Sequence, residues 1–267
     1  MVKRYLYLLT VFVALGIFTL TVIQRSNVKK QVAGITTSSN EQKISGIILP
    51  HHDLAKEYIS ASLERISKNQ QFSTIVIIGP NHFEPQATEF ISSSSVFDYP
   101  LQQEFIYKLT ALGKIVLNQN TIEKEHSIMI PLSYLKFYFP ETKFVPLIVP
   151  PYFERGEISQ IAVFLSNSLP QDTLFVASVD FSHNNMLLEA TAKNKETENV
   201  IKKFDFETLY QYKDDHLDSP ASIGLLLSTM QRLGATNWEL WYDSHGSLIE
   251  DEFTLQGTSY LIGVFSN

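Results

Sequence analysis

The chain has 267 residues, 44 % hydrophobic and 18 % charged, with a formal net charge of −7, a globular composition rather than a disordered or fibrous one. It contains no cysteine, which excludes disulfides, thiolate metal ligands, a cysteine nucleophile and a lipidated cysteine anchor. Residues 1–30 hold Lys3, Arg4, Arg25, Lys29 and Lys30 and no acid, so the +5 there leaves −12 on the rest, and a body that acidic offers few cations to replace phosphate counterions: no nucleic-acid partner is expected.

Tyr5 to Ile23 is a run of 19 residues without a charge. As a helix it is about 28 Å long, close to the hydrocarbon thickness of a bilayer. Gln24, Arg25 and Ser26 follow it, with no Ala-x-Ala cleavage signal, so an uncleaved anchor over residues 1–25 is expected rather than a signal peptide. Positive charge flanks both ends and leaves the positive-inside rule nearly silent. An anchor after a short basic start favours a single-pass protein with its globular part outside the cytoplasm. Residues 26–42 (SNVKKQVAGITTSSNEQ) are polar and aperiodic and read as a flexible stalk.

From residue 43 to 267 the pattern is that of one domain. Ile44 to Pro50, Ser73 to Gly79, Lys143 to Val149 and Thr173 to Val179 are Ile- and Val-rich runs without strict alternation, as in strands buried on both faces. Trp238 to Tyr242 and Ser259 to Phe265 complete the set. Between them, Leu54 to Asn69, Gln102 to Leu112, Glu157 to Leu169, Leu187 to Lys203 and Ala221 to Leu233 carry apolar residues at helical spacing. Strand–helix alternation predicts an α/β fold with a central sheet flanked by helices. In such sheets ligands sit at the carboxyl ends of strands.

Those ends are rich in histidine. The first strand leads into Pro50-His51-His52-Asp53, the second into Gly79-Pro80-Asn81-His82, the fourth into Asp180-Phe181-Ser182-His183, and the Trp238 strand into Asp243-Ser244-His245. Glu125-His126-Ser127 lies on a loop before a helix. Six of the seven histidines fall in these five segments, so a chance scatter of structural histidines is a poor explanation. Imidazole with carboxylate is a donor set for divalent metals, and two His plus one carboxylate with open positions is the facial arrangement of non-haem iron. Each residue also has a bland role: Asp180 as a turn cap, His126 as part of a helix start. There is no Gly-x-Gly-x-x-Gly after a strand, no phosphate loop and no Gly-x-Ser-x-Gly elbow.

The motifs resemble those of the Memo family. Ile47-Ile48-Leu49-Pro50-His51 is similar to its Pro-His-Ala-Gly segment, and Ile78-Gly79-Pro80-Asn81-His82 to its Gly-Pro-Ser/Asn-His segment. Glu125-His126-Ser127-Ile128 with Pro131-Leu132 resembles its Glu-His-Ser-Ile-Glu segment, Ser178 to His183 its Ser-Ser-Asp-Phe-Ser-His segment, and Ser259-Tyr260 its closing Val-Ser-Tyr-Ala. The resemblance spans roughly residues 43–267. It implies a mixed sheet like that of class III extradiol dioxygenases, whose iron sits in a two-His, one-carboxylate site. It also implies His51 and His82 as ligands of iron or copper rather than zinc, with Asp180 and His183 in the pocket. In bacteria and archaea such proteins are component B of the AmmeMemoRadiSam system, beside a radical-SAM protein and an AMMECR-type protein. The chain departs from the pattern at His52-Asp53, where the family has Ala-Gly, and at Met129, where it has Glu. A Cys ligand of some members has no match, and His245 lies near that position.

The expected site is therefore His51, His82, Asp180 and His245 as metal ligands, with His126 and His183 carrying protons near neutral pH. The leading function is a metal-dependent redox enzyme acting on a small molecule or modified residue. A non-catalytic peptide- or ligand-binding pocket, and metal-dependent hydrolysis with Asp53 or Glu125 as base, are the alternatives.

Overall fold

A computed structural model of the chain describes residues 42–84, 86–250 and 256–267. The expected anchor, and all of the expected stalk but its last residue, lie outside the described residues. Among the described residues no helix is long and apolar enough to cross a membrane.

Strand β1 (Ile44–Leu49) leads through a 3-10 turn at Asp53–Ala55 into helix α1 (Lys56–Ser67). Then come β2 (Thr74–Pro80), β3 (Phe90–Ser92), α2 (Gln103–Thr110), β4 (Ile115–Leu117) and α3 (Gln119–Lys124). Next are α4 (His126–Tyr138), β5 (Lys143–Val149), α5 (Arg155–Ser168) and β6 (Thr173–Ser178). The rest comprises β7 (Phe181–Asn185), α6 (Leu187–Lys203), α7 (Phe206–Leu209), α8 (Pro220–Leu233), β8 (Asn237–His245), α9 (Gly246–Ile249) and β9 (Gly257–Ser266).

Among the described residues nine strands make one mixed sheet in the order β4-β3-β5-β2-β6-β1-β9-β7, with β8 paired to β9. Its centre, β5-β2-β6-β1, is parallel, so the carboxyl ends of these four strands share one edge. β9 runs antiparallel to β1, β7 and β8.

The central strands read as unbroken apolar runs because both of their faces are covered. Ile48, Val76, Ile78, Val145, Leu147, Phe175 and Ala177 join one core with Ile158, Ile161 and Leu165 of α5 and Ile223, Leu226 and Leu227 of α8. The alternate residues Ile47, Leu49, Ile75, Ile77, Ile148, Leu174 and Val176 are equally buried. They point the other way, toward the face on which α4 packs against β2, β5 and β6 and against α1. Helix α8 is buried nearly throughout. Ser219 caps its start by accepting the Ser222 N–H, Pro220 occupies its first turn, and Gly234 ends it in the left-handed region at φ 73°.

The α/β expectation holds, as a single domain with a mixed sheet. Differences lie where elements are short. β3 and β4 have three residues each, too few for a periodic signal. Leu54 belongs to the 3-10 turn rather than the helix. Asp243 to His245, read as a strand's end, continue β8 opposite Leu261, Tyr260 and Ser259. Phe181 to His183, read as the end of the fourth strand, belong to β7, a strand of its own against β9.

Candidate metal centre

His51 enters directly from β1. It is 2 % exposed, and its backbone N–H donates to Asp180 Oδ1 at 3.0 Å. On the ring, Nδ1 lies 3.2 Å from Ser178 Oγ. The Nε2 atom faces Asp218 Oδ2 at 3.1 Å and Asp180 Oδ2 at 3.7 Å.

His82 follows β2, which is separated from β1 by β6. Asn81 turns the chain there, its Oδ1 accepting from the backbone N–H groups of Phe83 and Glu84. The His82 backbone N–H donates to Glu125 Oε2 at 2.8 Å, and Nδ1 lies 2.8 Å from Glu125 Oε1. Its Nε2 is 3.8 Å from the same Asp218 Oδ2 that faces His51.

His126 is the first residue of α4, and Gly79 is the reason this helix can start where it does. A Cβ at Gly79 would fall 2.6 Å from Ser127 Oγ and 3.1 Å from the Ser127 carbonyl oxygen. Glycine lets the helix start lie directly on β2, where Ser127 Oγ donates to the Pro80 carbonyl at 2.8 Å. That contact carries the His126 ring onto His82, with centroids 4.1 Å apart and planes stacked at 28°. His51 stands edge-on to both, 5.1 Å from each. One donor atom from each of the three histidines lies within 4.8 Å of the others, and the group can hold a metal ion.

Electrostatics favour a cation here. Burial alone would lower the pKa of His51, but the charges of Asp180 and Asp218 outweigh it and raise the value. Burial opposes the proton on His82 in the same way, and hydrogen bonds to Asp218 and Glu125 override it, lifting the pKa to about 10. His126 is lowered, first by burial and then by the charges of His82 and His51. Burial would raise the carboxylate of Asp218, yet the neighbouring histidines hold it well below the ordinary range, while Asp180, where burial wins, is raised. The paired carboxyls thus split into one firmly charged and one that more readily keeps a proton. Asp218 Oδ1 is buried with no hydrogen-bond partner among the described residues. Three imidazoles plus a charged, under-used carboxylate fit a borderline divalent metal.

Of the six residues expected from sequence, His51, His82 and His126 meet, the last offering a third donor atom beside the two expected ligands. Asp180 is buried behind His51, engaged with its backbone. His183 sits on β7 with Nδ1 buried and unpartnered among the described residues. The structure does not bring His245 into the group. Its Nδ1 accepts the Ser247 N–H at 3.2 Å, capping α9, and lies 2.8 Å from Ser247 Oγ, while its Nε2 is 3.2 Å from the Asn185 carbonyl. Both ring nitrogens are thus engaged within the protein.

The residue missed is Asp218. Sequence gives it only as the position before a Ser-Pro helix start. It reaches the site because Leu217 bridges Phe181, which sets Asp218 beside Asp180: the Asp218 N–H donates to the Asp180 carbonyl and the Asp180 N–H to Asp218 Oδ2.

A single α/β domain with three imidazoles and a buried carboxylate at the shared edge of its parallel strands defines a protein built around a candidate metal centre. The profile of the Memo-like protein family matches residues 23–252, and the chain belongs to that family. A MEMO1 family protein of Aquifex aeolicus is 27 % identical over 158 residues, 56 % of this chain and 42 % of that protein. One from Methanococcus maripaludis is 25 % identical over 235 residues, 81 % of this chain and 83 % of the other. The crystal structure of an uncharacterized protein from Escherichia coli K12 matches 82 % of this chain and 99 % of its own, with a TM-score of 0.53 at 14 % identity, a likeness of fold.

Proposed function

We propose that the protein is a metal-dependent redox enzyme of the Memo type, tethered to a membrane and acting on a small molecule or a modified residue. The observation that supports this reading best is the meeting of His51, His82 and His126, distant in sequence, around one point that Asp218 also faces. Iron or copper bound there would supply a redox-active centre with room for a further ligand. His51 and His82 would hold it through Nε2, with His126 as the third nitrogen donor and Asp218 as the charge that offsets the cation. Asp180 orients His51 through the backbone N–H. His183, whose Nδ1 has no partner among the described residues, is the imidazole left to carry a proton to or from a bound substrate. Membership of a three-component system with radical-SAM and AMMECR-type proteins belongs to the same proposal.

The charge pattern bears on the alternative of a non-catalytic peptide- or ligand-binding pocket. The carboxylates Glu125, Asp180 and Asp218 surround the histidines, and no lysine or arginine pairs with any of them among the described residues. Such a ring of carboxylates suits a positively charged or metal-bridged ligand. The test is oxygen consumption by protein loaded with Fe(II) under anaerobic conditions and then exposed to air with a reductant. Uptake that vanishes in His51→Ala supports the reading, and uptake no greater than that of free Fe(II) counts against it.

A further inference from the structure

We infer that Glu125 is a positioning residue that aims the Nε2 atom of His82 at the shared metal position. The inference rests on the metal reading above and goes beyond it to a residue that is not itself a ligand.

The geometry is that of one carboxylate holding a histidine by both its backbone and its ring. Glu125 is fully buried. Its Oε1 lies 2.8 Å from His82 Nδ1 and 3.4 Å from His126 Nδ1, and also accepts the Ser127 N–H at 3.1 Å. Its Oε2 accepts the His82 N–H at 2.8 Å. A carboxylate accepts and does not donate, so the His82 ring, which is hydrogen-bonded to it, must present Nδ1 as N–H. The free lone pair of a neutral ring is then on Nε2, the atom that on His82 points toward Asp218. Carboxylate–histidine pairs of this kind fix tautomer and ring orientation at metal sites. His51 is aimed independently, through Ser178 Oγ.

A plain helix cap is the competing role, because Glu125 precedes α4 and accepts the Ser127 N–H. A cap needs only an oxygen near that N–H and is indifferent to the rings. The two roles separate in a Co(II) titration of the purified full chain. Absorption gives the affinity. Proton NMR gives the shifted, exchangeable ring N–H signals of metal-bound histidines. Glu125→Gln puts an amide N–H or a single oxygen where two acceptors are needed. It should lower Co(II) affinity about 10–100-fold and abolish or broaden the His82 Nδ1–H signal, while the His51 signal on Ser178 persists. Wild-type affinity with an intact His82 signal in Glu125→Gln would overturn the inference and leave a cap. Should that variant not fold, Glu125→Asp, which keeps the charge but shortens the reach, should still weaken Co(II) binding and move the His82 signal. No change in either would overturn the inference. Failure of the wild type to bind Co(II) would overturn the metal reading and this inference with it, whereas a defect confined to the Glu125 variants leaves that reading standing.

Discussion

The Nε2 atom of His51 and the Oδ2 atom of Asp218 lie 3.1 Å apart, although 167 positions separate them in sequence. The pair joins the end of the first strand to the residue just ahead of the Ser219 cap of α8, and it places a charged carboxylate against the three histidines. Asp218→Asn keeps the shape and removes the charge. It should weaken divalent-metal binding at least about tenfold with little change in the far-UV circular dichroism spectrum. Titration calorimetry with Zn(II) in place of a redox metal reads the effect without oxidation.

The pH dependence has a definite sign. In metal-free protein His82 has its pKa raised from 6.5 to about 10 by hydrogen bonds to Asp218 and Glu125. A raised folded-state pKa contributes stability that is fully present below about 6.5 and is lost as pH climbs through about 10. Urea unfolding of metal-free protein should therefore show a falling midpoint between those values, and His82→Gln should flatten the fall. Metal binding runs the other way. It displaces protons from His51 and His82, so apparent affinity should rise with pH over the same range.

Gly79→Ala tests how α4 is seated. The new methyl would sit 2.6 Å from Ser127 Oγ, a buried side chain that has nowhere to go without giving up its bond to Pro80. The substitution should cost about 1–3 kcal/mol of stability, read from urea unfolding, and should weaken metal binding by moving His126 away from His82. A fully stable, metal-binding Gly79→Ala would mean that the helix start is not what fixes His126.

The tether is testable apart from the site. The charge-free run Tyr5–Ile23 should hold the full chain in the membrane fraction through an alkaline carbonate wash, and deletion of residues 1–25 should release it. Full-length protein in the supernatant would contradict the anchor.

Much of the site was legible before the fold because strand ends announce themselves. Apolar runs that stop at Pro50-His51 and Pro80-Asn81-His82 placed two imidazoles on one edge of a parallel sheet. His126 was legible as a candidate, though its nearness to His82 depends on the contact of Gly79 with Ser127, which no spacing rule contains. His245 looked equivalent, being another histidine at an apparent strand end. Yet β8 runs through to it on an antiparallel pair away from the parallel centre, and its ring caps α9 instead. Asp218 was invisible because it stands at no strand end. Only the pairing of Leu217 with Phe181 carries it to Asp180, and a one-residue bridge leaves no periodic trace. β3 and β4 escaped for the same reason of length.

The most direct test of a metal centre built by distant histidines is elemental analysis of full-length protein purified without added metal or chelator. The wild type should carry about one equivalent of iron or copper per chain, and the His51→Ala/His82→Ala double variant almost none, with its circular dichroism spectrum unchanged. A wild type without stoichiometric metal, or a double variant that keeps it, would contradict the account.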